Sequence, residues 1–65
     1  MADITIKQAA EYAHQAEVIS RLIEFSAYEL DSNDLAAVSA LLRRLTGGVA
    51  AFLVEMEASQ EVSND

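Results

Sequence analysis

Two apolar seams of equal length, separated by four turn-forming residues, constrain this chain more than anything else in it. Along the first, positions three and four apart recur as Ala9, Tyr12, Ala16, Ile19, Ile23, Ser26 and Leu30, all apolar or aromatic save Ser26. Along the second they recur as Leu35, Val38, Leu42, Leu45, Val49, Phe52 and Met56, apolar throughout. Alternating steps of three and four are the heptad signature of a helix that buries one stripe against another helix. Between the seams lie Asp31, Ser32, Asn33 and Asp34. Their short polar side chains hydrogen-bond nearby backbone and so favour caps and turns over helix interiors. Asp31 or Ser32 can cap the second helix, with Asp34 in a first turn whose dipole favours negative charge. Thr5 followed by Gln8 has the spacing of a capping box and starts the first helix near Ile6.

Folding the chain back at the turn pairs Leu30 with Leu35, Ile23 with Leu42, Tyr12 with Phe52 and Ala9 with Met56, without a slip between layers. A short loop between two helices requires this register. The expected fold is therefore all-α, an antiparallel two-helix hairpin forming one domain over residues 1–65. Its helices run over about 6–30 and 33–58, and an acidic tail over 59–65, where the periodicity ends, is expected to fray.

The two glycines, Gly47 and Gly48, stand side by side within the second seam. A loop there would reset the phase, yet Val49 and Phe52 continue the count from Leu45. One helix is expected to run through the pair, at a cost of about 1 kcal/mol per Gly relative to Ala. Small side chains let another backbone approach closely. Gly47, Gly48 and Ala51, with Ala40 and Ala50 nearby, are accordingly candidate contact residues.

A chain of 65 residues with no Cys and a single His has neither disulfides nor a zinc site of its own to supplement a small core. It is nevertheless 52% hydrophobic. Val18, Leu22 and Phe25 follow one another at helical spacing on a flank of the first seam, and Leu41 and Leu53 flank the second. A second copy would cover such flanks as a homodimeric four-helix bundle of two-fold symmetry. The alternative cover is a different protein.

The formal charge of −7 disfavours general nucleic-acid binding, whose affinity comes largely from neutralising phosphates. The first residues lack the basic stretch and apolar run of a secretory leader. The longest uncharged run, Leu45 to Val54, is shorter than a bilayer requires. A cytoplasmic protein without membrane attachment is expected.

Chemistry is sparsely signalled. Glu11 and His14 have the spacing of a bundle metal motif, but such ligands point into the core. Here Tyr12 and Ala16 hold that direction, so no metal site is expected. No nucleophile–base pair, phosphate-cradling glycine loop or differentiated carboxylate pair is present, and neither catalysis nor a cofactor is expected. Lys7, His14, Arg21 and Tyr28 recur every seven residues on the outer face of the first helix. Glu17 and Glu24 run beside that stripe, and Glu17 is placed to pair with Arg21. Arg43 and Arg44 add a small basic spot on the second helix.

The chain length, the "YELDSNDLAAV" helix–turn–helix and the acidic tail resemble the Rop family, plasmid proteins that dimerise as four-helix bundles and bind paired RNA loops. The resemblance covers residues 5 to 60 and is one of pattern. It implies RNA binding on the first helix, with Lys7 and Arg21 as polar and basic contacts and Phe25 as the aromatic one; His14 lies on the same stripe. In size and shape the chain is also similar to small helical-hairpin proteins of phages and mobile elements that bind and inhibit host proteins. That comparison implies a regulator sequestering a partner protein, with Val18, Leu22, Phe25, Arg43, Arg44, Gly47, Gly48 and Ala51 as candidate contacts. An apolar centre of Val18, Leu22 and Phe25 within a rim of Glu11, Glu24 and Glu29 has the anatomy of such a recognition surface.

Overall fold

The first helix begins where the capping box places it. In the computed structural model, which describes the backbone of residues 4–63 and the side chains of residues 4–60, α1 spans Ile6–Ser26. The Gln8 amide donates to the Thr5 hydroxyl at 3.1 Å, and the Thr5 amide donates to the Gln8 side-chain oxygen at 2.9 Å. Two backbone donors that the helix leaves without partners are thereby satisfied.

At its far end α1 tightens. A 3₁₀ turn, Ala27–Glu29, follows Ser26, and Leu30 is extended. The first helix was expected to reach residue 30. It stops short because Leu30 immediately precedes the cap of the next helix and must leave helical geometry. Leu30 and Leu35 then stand at the N′ and N4 positions of a hydrophobic staple around that cap.

The second helix, α2, spans Ser32–Ser63. Its cap is Asp31, whose carboxylate accepts from the Asp34 amide at 2.8 Å while the Asp34 carboxylate accepts from the Asp31 amide at 3.2 Å. The Leu35 amide donates to the Asp31 carbonyl at 2.9 Å, closing the first helical turn. The helix runs unbroken through Gly47 and Gly48, and neither glycine has positive φ. It also continues past residue 58 to Ser63. Loss of apolar periodicity ends burial but not helix, because residues 57–61, Glu-Ala-Ser-Gln-Glu, contain no Gly or Pro to stop it. Residues 64 and 65 of the expected tail, and residues 1–3 at the start of the segment read for a leader, lie outside the described residues. The described residues are all-α, with two helices and no strand.

The helices lie along each other in an elongated body, 52 × 17 × 15 Å. Ile6 and Ala9 of α1 share a groove with Phe52 and Met56 of α2, while Ser26 and Leu30 share another with Val38. Among the described residues only Ala9, Ala16 and Leu45 are buried, and no large side chain is fully enclosed. The other seam residues are half-buried, apart from Leu35 and Met56, each 41% exposed. Hydroxyls within the helices turn back on their own turns: Ser20 donates to the Ala16 carbonyl at 2.9 Å and Thr46 to that of Leu42 at 2.7 Å. Among the described residues no buried side-chain polar atom lacks a hydrogen-bond partner.

Candidate protein-binding faces

Two helices side by side form a single layer, and a layer has two faces. Leu22 and Ala13 are nine positions apart, which at about 100° per residue sets them on opposite sides of α1. On α2, Leu41 and Leu53 flank the seam on either side by the same geometry.

One face, the Leu22 face, carries two grooves that meet at Ile19 and Leu41. The first, of about 320 Å³, is lined by His14, Gln15, Val18 and Leu45 besides those two residues. The second, of about 190 Å³, is lined by Leu22, Ile23 and Val38 among others. Val18 and Leu41 are half-buried, Leu22 is 58% exposed and Phe25, one turn further, is 87% exposed. The flank of Val18, Leu22 and Phe25 therefore stands largely uncovered.

The opposite face, the Leu53 face, carries the larger groove, of about 470 Å³, between Ile6, Ala10 and Ala13 of α1 and Val49 and Leu53 of α2. Sequence reasoning picked out Leu53 but missed its partners on α1. Ile6, Ala10 and Ala13 are spaced four and three apart, the same step that marked the seam, but two alanines give such a stripe little apolar weight. Leu53 is 58% exposed and Ile6 70% exposed.

The glycine pair divides. A Cβ on Gly48 would stand 3.1 and 3.2 Å from two ring carbons of Tyr12, so the close approach at Gly48 is to its own chain. Tyr12 thus reaches Gly48, one turn before the Phe52 with which the seam pairing matched it. A Cβ on Gly47 would meet nothing within 4 Å. Ala51 is half-buried, and Arg43 and Arg44 are exposed.

The polar candidates are dispersed. Lys7, Glu11, His14, Arg21, Glu24, Tyr28 and Glu29 are all exposed. Arg21 is held by Glu17 through two hydrogen bonds, Nε at 2.8 Å and a terminal nitrogen at 2.9 Å. This four-residue pair is well exposed at both ends and contributes about 0.3–0.5 kcal/mol. Among the described residues, no three His, Asp or Glu side chains gather where they could hold a metal ion.

By length and composition α2 could also cross a bilayer: Ser32–Gln60 contains an 18-residue window of mean hydropathy 1.5, with 6% of that window buried. Reading only the uncharged run over Leu45–Val54 understated this helix. No family model, curated protein or solved structure matches the chain.

Proposed function

We propose that the chain is a non-catalytic protein-binding regulator or inhibitor, which works in the cytoplasm as a helical homodimer that sequesters a partner protein. In this reading α1 and α2 form an antiparallel hairpin, and two hairpins stack into a four-helix bundle. The observation that carries it is uncovered apolar surface on both faces of the two-helix layer, with Leu22 and Phe25 on one and Ile6 and Leu53 on the other. A second copy stacked on the layer covers one face. The other remains open, and an apolar surface of that kind marks an interaction site.

The charge pattern favours a protein over RNA as the further partner. Arg21 is engaged by Glu17, and the formal charge of −7 opposes a phosphate backbone. The immobilised chain should be exposed to a lysate with and without nuclease, at low and high salt. A protein retained after nuclease treatment and at high salt is expected, since apolar contacts are little screened. Capture of RNA alone, lost at high salt and on Lys7→Glu/Arg21→Glu, would replace this reading with the Rop-like one.

A further inference from the structure

We infer that α2 carries a hinge at Thr46–Gly48, about which its far half swings to widen or narrow the groove on the Leu53 face. Such a motion belongs to one chain and does not depend on the homodimer.

Three features weaken the helix at this one place. Gly47 and Gly48 gain least from helical geometry of any residues but Pro, so leaving it there costs least. Directly before them, the Thr46 hydroxyl donates to the Leu42 carbonyl at 2.7 Å. It thereby competes with the helix's own hydrogen bond to that carbonyl, an arrangement that bends helices. Side chains also brace the pair poorly. A Cβ on Gly47 would meet open space, and one on Gly48 would meet only the Tyr12 ring. A flat ring against bare backbone has nothing to interlock with. Pairs of such small residues are among the few sites at which helices kink.

Packing differs on the two sides of the pair. Before it, Leu45 is buried. Beyond it, among the described residues, no α2 side chain is buried, and a groove of about 470 Å³ lies between Val49, Leu53 and Met56 and the α1 residues Ile6, Ala10 and Ala13. The two alanines leave α2 little to lock into on that side. From Val49 to Ser63 the far half is about 22 Å long at 1.5 Å per residue, so a bend of about 10° moves its end by about 4 Å. A displacement of that size admits or excludes an apolar side chain.

Amide hydrogen exchange followed by nuclear magnetic resonance tests the hinge. The amides of Val49 to Phe52 donate across the pair, to the carbonyls of Leu45 to Gly48. They are expected to show a minimum of protection, between better-protected amides at 41–45 and at 53–57. Gly47→Ala should raise the protection of those four amides about fivefold more than that of 41–45, as the higher helix propensity of Ala requires. Uniform protection over 41–57, a steady fall from Leu45 to the end of α2, or a minimum that Gly47→Ala leaves in place would each overturn the inference. The chain has no Cys, so spin labels at exposed positions give a second measurement. In Lys7→Cys/Ala58→Cys, diluted into unlabelled protein, the distance distribution should be broader than in Glu24→Cys/Ala40→Cys and should narrow with Gly47→Ala. Equal widths in the two labelled pairs contradict the hinge.

Discussion

Gly47 and Gly48 are chemically identical neighbours in one helix, and their surroundings make them respond differently to a methyl group. Each loses about 1 kcal/mol of helix propensity relative to Ala. At Gly47 the added Cβ meets open space, so Gly47→Ala should stabilise the fold by about 0.5–1 kcal/mol. At Gly48 the same Cβ lies 3.1 Å from the half-buried Tyr12 ring, which would have to yield. Gly48→Ala should therefore gain nothing or destabilise. Urea unfolding of the two variants checks the order, and a Gly48→Ala gain equal to that of Gly47→Ala would show that Tyr12 does not rest on this glycine. No contact among the described residues explains why position 47 is glycine. If a partner's backbone approaches there, Gly47→Ala would raise stability and weaken that partner's binding together.

At the scale of elements, both helix starts were legible because capping is local chemistry. Thr5 with Gln8 and Asp31 with Asp34 satisfy each other's backbone donors across three residues, and no distant contact is needed. The seams were legible for the same reason, since period alone assigns their direction. The helix ends were less so. Apolar period reports burial, so it fell silent at Met56 although α2 continues to Ser63. It also ran on to Leu30, although the approaching cap ends α1 at Ser26. Of the candidate site, the Leu22 flank could be read from three large side chains, whereas the Leu53 groove is walled by alanines. The length of α2 raises the separate question of a bilayer. A span over residues 35–54 would place Arg43 and Arg44 adjacent at its centre, about 15 Å from either edge. Each would cost about 2.5–3.5 kcal/mol on the insertion scale. The chain is expected to stay below the lipid when floated with neutral phosphatidylcholine vesicles. Co-flotation would mean that α2 finds its cover in membrane.

For the whole molecule, the controlling fact is how little one copy encloses. Among the described residues three are buried, two of them alanines, while Ile6, Leu22, Phe25, Leu53 and Val54 all face outward. Caps and helix propensity support the individual helices but cannot hold one against the other, because helices in proteins owe most of their stability to the packing of an apolar face. On the proposed homodimer reading, stability and association are one equilibrium, dependent on concentration. Sedimentation equilibrium combined with far-ultraviolet circular dichroism over a dilution series into the nanomolar range tests this most directly. The expected result is a species of twice 7.0 kDa, about 14 kDa, whose helix content falls as it dissociates. A species of 7.0 kDa that keeps its helix at every concentration and unfolds cooperatively would contradict the account.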